Sequence, residues 1–65
     1  MTRSEALNRI YADIYSDTAA DGETPDICAY TASQCRAFYA DCSNRVLESV
    51  IEDHTGVRPS IKGGR

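Results

Sequence analysis

Three cysteines recur every seven positions in the chain, at Cys28, Cys35 and Cys42. Thiols at regular spacing can bind zinc, form disulfides or fill a helix interface. On a single helix, residues seven apart are separated by ~10.5 Å. A disulfide requires Cα atoms within ~7 Å, and two thiolates that share a zinc ion lie ~4 Å apart. The spacing therefore predicts neither a disulfide nor a metal site, and we expect no cofactor.

Other residues with catalytic or metal-binding chemistry are sparse. His54 is the single histidine, and we expect it to cap the C-terminal end of a helix rather than activate a thiol. Asp13, Asp17 and Asp21 have the i, i+4 spacing of one helix face, where carboxylates most often face water. The chain has no glycine-rich phosphate loop, zinc-protease motif or nucleophile elbow. We therefore expect a protein that is not an enzyme.

Charge is distributed unevenly along the chain. Residues 1–55 hold all ten carboxylates and four arginines, which gives 4 − 10 = −6, whereas residues 56–65 hold three cations. No lysine or arginine occurs between Ile10 and Cys35. An acidic surface repels nucleic acid and attracts basic protein, so we expect a protein partner rather than direct nucleic-acid binding. The predicted partner-binding surface combines carboxylates with neighbouring tyrosines: Asp13, Tyr15, Asp17, Asp21 and Tyr30.

Two helical patterns position these residues. Thr2 and Ser4 are both candidate N-caps of the first helix; Thr2-x-x-Glu5 has the form of a capping box, and apolar residues then follow at helical spacing. We place this helix at about residues 4–20. Asp21-Gly22 is a turn sequence that ends it.

The second helix has clear signals at both ends. Thr24 is a good N-cap, Pro25 suits the first helical position, and Gly56 suits a left-handed C-terminal cap. No glycine or proline lies between Pro25 and Gly56. The pattern favours one long helix over about residues 25–54. The alternative is a break near residues 30–33, where Thr31-x-x-Gln34 offers a second capping box and the chain becomes a three-helix bundle with Leu47 and Ile51 inside.

A long helix carries more apolar surface than the short one covers. One face forms a continuous seam of small and aromatic residues: Cys28, Cys35, Phe38, Tyr39, Cys42 and Val46. Leu47 and Ile51 lie off this seam and, with Val50, predict a dimer interface. The resulting fold is an all-α helical hairpin that pairs with a second copy into a homodimeric four-helix bundle.

The expected organisation is a single helical domain over residues 1–56, followed by a flexible basic tail over residues 57–65. No apolar run approaches the ~20 residues of a membrane span, and the N-terminal stretch lacks the apolar region of a signal peptide. We therefore expect a cytoplasmic protein that does not associate with a membrane.

The predicted function is that of a small interaction protein that binds and modulates, or inhibits, a partner protein through its acidic, tyrosine-bearing surface. No motif assigns the chain to a family, but in size and composition it resembles the accessory proteins of bacteriophages and the small regulatory inhibitors of bacteria. One alternative is a nucleic-acid-linked regulator, either touching phosphates with Arg58, Lys62 and Arg65 or imitating DNA with its carboxylates. A cysteine-based metal or redox module is less favoured.

Overall fold

The computed structural model describes residues 1–64 and shows three helices in this range. These are α1 (Arg3–Ala20), α2 (Pro25–Ala40) and α3 (Asn44–Thr55). No strand forms within residues 1–64, where the only strand-like pairing is an isolated parallel bridge between Thr2 and Lys62. The all-α prediction is therefore confirmed.

Local capping signals start α1 as predicted. The Thr2 hydroxyl accepts a hydrogen bond from the Glu5 N–H at 3.1 Å, and the Glu5 carboxylate accepts one from the Thr2 N–H at 2.8 Å. The bond from the Thr2 N–H, with a smaller contribution from the Thr2 side chain, lowers the pKa of Glu5, because it stabilises the ionised carboxylate. The capping box therefore satisfies two groups that the start of a helix otherwise leaves without partners.

The predicted start of α2 and the predicted end of α3 are also confirmed. The Thr24 hydroxyl accepts from the Ile27 N–H at 3.4 Å, and Pro25 occupies the first turn. Gly56 ends α3 with φ of 80°, a left-handed conformation that side chains disfavour. These boundaries depend on contacts between near neighbours, which is why the sequence shows them.

The continuous helix over residues 25–54 is wrong. The chain leaves the helical conformation at Asp41 and re-enters it after Ser43, whose hydroxyl accepts from the Val46 N–H at 3.4 Å. The alternative break near residues 30–33 is also misplaced, because those residues lie inside α2. The chain does have three helices, but their boundary falls about ten residues later than the sequence indicated.

An arginine from α1 stabilises this break. The Arg3 guanidinium donates to the Ala40 carbonyl at 2.8 Å, to the Cys42 carbonyl, and to the Asn44 side-chain oxygen at 2.7 Å. The last carbonyls of a helix have no partners inside it, and a cation placed there also complements the helix dipole. Arg3 thus replaces the backbone hydrogen bonds that a continuous helix would have made.

The core forms around α1, which packs against both other helices. Its main cluster joins residues of α1, α3 and the segment after α3: Ala6, Leu7, Ile10, Leu47, Ile51 and Ile61. The accessible surface of 4155 Å² is close to the ~4,100 Å² typical of a compact monomer of 7.1 kDa. One chain therefore buries about as much surface as a folded protein of its size is expected to bury.

The predicted dimer interface lies inside this single-chain core. Leu47 is 0% and Ile51 4% exposed, and Val50 is partly buried against the same cluster. Because α3 is a separate helix that folds back onto α1, these side chains need no second copy to cover them. Their assignment to a dimer interface is therefore corrected to the core of one chain.

The predicted seam is correct only in part. Cys28 is buried, and Cys35, Tyr39 and Cys42 are partly buried. Two members of the seam instead face outward: Phe38 is 67% exposed and Val46 is 41% exposed.

The two errors in the seam have different causes. Phe38 and Tyr39 are adjacent and so lie about 100° apart around α2, which packs on α1 with one face. Val46 was placed by continuing the phase of α2, whereas the break gives α3 a phase of its own, with Leu47 inward. A single interruption thus turned Val46 outward and Leu47 inward.

The segment after α3 differs from the predicted flexible tail. Ile61 packs in the core, and its N–H donates to the Glu48 carboxylate at 3.0 Å. The Lys62 N–H donates to the Met1 carbonyl at 3.0 Å, and the Asn44 amide donates to the Gly63 carbonyl at 2.6 Å. Residues 57–64 therefore run back along α1 and α3. The last tail residue, Arg65, is outside the described residues.

Within residues 1–64, none of the three helices combines the length and the apolar character that crossing a lipid bilayer requires.

Candidate functional site

The structure divides the predicted acidic, tyrosine-bearing surface between two sides of α1. Asp13 and Asp17 face α3, where Asp13 lies 3.3 Å and Asp17 3.6 Å from the ring nitrogens of His54. Tyr15 is two residues from each aspartate and therefore points to the other side of the helix. It is partly buried and stacks on Tyr11, with ring centroids 6.3 Å apart.

His54 has a different role from the one predicted. Instead of capping α3, its imidazole joins the last turn of α3 to the middle of α1 through the two aspartates. The Asp13 carboxylate is shared with Arg9, whose Nε lies 3.2 Å away. Sequence reasoning missed this cluster because its members are about forty residues apart. The i, i+4 spacing of the aspartates was the only signal.

Asp21 and Tyr30 remain exposed, and they belong to a second surface at the α1–α2 connection. Tyr30 is 68% exposed and lies on the face of α2 opposite Cys28 and Ala32. Three further residues share this outward face at helical spacing: Ile27, Gln34 and Phe38. We call these four residues the outer α2 stripe.

The outer α2 stripe is unusually apolar for an exposed helix face. Ile27, Tyr30 and Phe38 are three of the six large hydrophobic side chains that are exposed within residues 1–64. Phe38 also meets the neighbouring Tyr39 edge-on, with ring centroids 5.2 Å apart. The sequence contained this signal, since three large apolar residues share the face of α2 that is opposite Cys28 and Ala32.

Carboxylates border the N-terminal end of the stripe. Asp21, Glu23 and Asp26 are exposed in the α1–α2 connection and the first turn of α2. We call these three residues the acidic edge. No lysine or arginine lies between Ile10 and Cys35, so the nearby sequence supplies no cation to neutralise them. The stripe and the edge together form a surface with an apolar centre and an acidic border.

A pocket of about 230 Å³ opens between α1 and α3, away from the residues of the outer α2 stripe and its acidic edge. Aliphatic residues Ile10, Ile14 and Val50 line it, together with Asp13, Asp53 and His54. It is smaller than the ~300–1,000 Å³ typical of pockets for drug-sized ligands. The size suits one side chain or a small molecule.

The cysteines are not grouped for chemistry. All three are free thiols, and the Cys28 and Cys42 sulfurs lie 3.8 Å and 3.7 Å from the carbonyl oxygens of Glu23 and Phe38. Within residues 1–64, no group of three or more histidine, cysteine, aspartate or glutamate side chains is arranged to hold a metal ion.

The cations of the C-terminal segment are partly committed within the chain. The Arg58 guanidinium lies 3.0 Å from the Glu52 carboxylate and 3.4 Å from that of Glu48. It also donates to the Ser49 hydroxyl at 3.2 Å. Lys62 is exposed, while Arg65 lies beyond the described residues. A phosphate would therefore have to compete with two glutamates for Arg58.

The most prominent candidate site is thus the outer α2 stripe with its acidic edge, and the α1–α3 pocket is a second, separate feature. Comparisons of the chain with protein-family models, with curated protein sequences and with solved structures found no match.

Proposed function

We propose that this chain is a non-enzymatic interaction protein that binds a partner protein and modulates or inhibits it. The contact surface is the outer α2 stripe with its acidic edge. The observation that carries the proposal is the outward orientation of Ile27, Tyr30 and Phe38 on one face of α2, beside uncompensated carboxylates.

Physical chemistry supports this choice of surface. Covering one large apolar side chain contributes roughly 1.5–3 kcal/mol, and aromatic residues dominate the energetics of protein interfaces. The spacing of Ile27, Tyr30, Gln34 and Phe38 suits a helix that lies in a partner's groove. The acidic edge favours a groove with a basic border and speeds the encounter through long-range attraction.

The homodimer is not part of this proposal. The sequence predicted a homodimer because a helical hairpin would leave Leu47 and Ile51 exposed, and both are buried within one chain. The partner is instead a different protein with a basic, partly apolar surface.

The test compares matched surface variants in affinity capture from extracts of the cells that produce the chain. The binding variant replaces Tyr30 and Phe38 with serine, and the control replaces Val57, an exposed residue outside the stripe, with serine. Wild type and the control are expected to retain a shared partner that the stripe variant loses. Raising the salt concentration is expected to weaken capture, because the acidic edge contributes.

Two outcomes would contradict the proposal. One is that wild type retains no protein above background. The other is that the stripe variant, folded as judged by circular dichroism, retains the same partner as wild type. Either result would remove the outer α2 stripe as a binding surface.

DNA mimicry is the second candidate, favoured over direct nucleic-acid contact by the pairing of Arg58 with Glu48 and Glu52. In that case the captured partner is a DNA-binding protein, and duplex DNA displaces the chain from it. A gel shift of duplex DNA by the chain alone at low salt would instead favour direct binding.

A further inference from the structure

The α1–α3 pocket has features of a binding site that the proposed function does not use. It lies between α1 and α3, and none of its lining residues belongs to α2. Ile10, Ile14 and Val50 give it an aliphatic lining, and Asp13, Asp53 and His54 supply its polar groups. A ligand for this pocket needs an apolar stem and a polar head.

The charges near the pocket determine whether it favours a cationic or an anionic head group. Asp13, Asp17 and Asp53 contribute three negative charges, and Arg9 contributes one positive charge. The sum is −3 + 1 = −2 with His54 neutral and −1 with His54 protonated. The pocket is therefore negative in either state of the histidine, and it favours a cation.

Asp53 is the carboxylate best placed to meet such a cation. Asp13 is already engaged by Arg9 and His54, and Asp17 pairs with His54 outside the pocket lining. Asp53 is exposed at the pocket, and its carboxylate makes no hydrogen bond or ion pair with residues 1–64. An incoming ammonium or guanidinium group would be its first partner.

We propose that the α1–α3 pocket binds an organic cation on an aliphatic stem. The stem lies against Ile10, Ile14 and Val50, and the cationic head pairs with Asp53. Two sources present this chemistry: a free alkylamine, or the lysine or arginine side chain of a protein. The volume of about 230 Å³ is sufficient for one such group.

The test is an NMR titration of the full chain that follows backbone amide signals. The probes are butylammonium chloride, 1-butanol as its neutral counterpart, and a lysine residue capped at both ends. Butylammonium is expected to shift the amide signals of the six pocket-lining residues more than 1-butanol does at the same concentration. Binding by the capped lysine alone would assign the site to a protein side chain.

The Asp53→Asn variant tests the position of the cation. It is expected to weaken butylammonium binding about two- to fivefold, the range of an exposed ion pair, with 1-butanol binding unchanged. Glu23→Gln is the matched control. It removes an exposed carboxylate in the α1–α2 connection, outside the pocket lining, and should bind butylammonium as wild type does. Both substitutions are at exposed positions, so both variants should fold.

Three results would overturn the inference: no shift with either cation, equal shifts with 1-butanol, or undiminished cation binding by Asp53→Asn. None of them bears on the outer α2 stripe, because that surface is tested with different variants. The two proposals can therefore fail independently.

Discussion

Helix α1 contacts α3 and α2 through different kinds of buried side chain. Toward α3 and the C-terminal segment, α1 packs with large aliphatic side chains, among them Ile10, Leu47 and Ile61. Toward α2, the fully buried residues are the small Cys28 and Ala32, accompanied by a hydrogen bond of 3.2 Å between Arg36 and Asn8. A large aliphatic side chain buries more apolar surface than cysteine or alanine, so each buried residue on the aliphatic side is expected to contribute more to stability.

This difference also decides where large residues are left for binding. Small residues let two helices approach closely, so the α1–α2 contact needs only one of the large aromatic side chains of α2, the partly buried Tyr39. Ile27, Tyr30 and Phe38 consequently face outward, whereas α3 directs Leu47 and Ile51 into the core. One helix stabilises the fold, and the other presents an apolar surface.

The largest expected effect is on the aliphatic side. Leu47→Ala removes a fully buried side chain and leaves a cavity, which should lower the free energy of unfolding by about 2–5 kcal/mol. Val46→Ala, its exposed neighbour, should change it by less than about 0.5 kcal/mol. Urea denaturation followed by circular dichroism measures both. Equal losses of unfolding free energy in the two variants would contradict the orientation of α3, in which Leu47 faces the core and Val46 faces solvent.

The next effect concerns the link between the two sides at the α2–α3 boundary. Arg3→Ala leaves the Ala40 and Cys42 carbonyls without the guanidinium, which should cost about 1–3 kcal/mol of unfolding free energy. Arg45→Ala removes an exposed arginine nearby and should cost far less. A stability of Arg3→Ala equal to that of the control would show that the break does not depend on α1.

A smaller effect is expected from the cap that starts α3. Ser43→Ala removes the acceptor for the Val46 N–H and should cost about 1 kcal/mol. Ser33→Ala, at an exposed position inside α2, should be neutral or slightly stabilising, because alanine favours helix. Ser43→Asp should restore most of the loss. If the melting temperature of Ser43→Ala equalled that of wild type, residue 43 would not be acting as an N-cap.

The smallest effect is the pH dependence of the α1 cap. The pKa of Glu5 is lower in the folded chain than in the unfolded chain, because the ionised carboxylate accepts the Thr2 hydrogen bond. The folded state is then favoured above the unfolded pKa, and this contribution disappears as pH falls through the folded pKa. In acidic solution, the melting temperature of Glu5→Gln should depend less on pH than that of wild type, whereas that of Glu23→Gln should depend on pH as wild type does. If the melting temperature of Glu5→Gln followed pH as that of wild type does, the Glu5 carboxylate would not contribute to the pH dependence of stability.

The candidate surface was predictable only where it is local. Asp21 and Tyr30 were expected to be exposed, and they are: Asp21 lies at the turn that Asp21-Gly22 marks, and Tyr30 lies on the face of α2 opposite Cys28. The stripe partner Phe38 was assigned to the buried seam, since the sequence does not state how wide a face α1 covers. The pairing of Asp13 and Asp17 with His54 joins residues that are distant in sequence, and no local pattern encodes it.

The sequence by itself determined the all-α class, the caps at Thr2 and Thr24 and the end of α3 at Gly56, because each depends on residues within one turn. Only the tertiary structure decided where the long apolar stretch divides. Ser43 is a local cap, but its use as a helix start is supported by Arg3, about forty residues away, which satisfies the end of α2. Once that break is fixed, the phase of α3 follows, and Leu47 turns inward while Val46 turns to solvent.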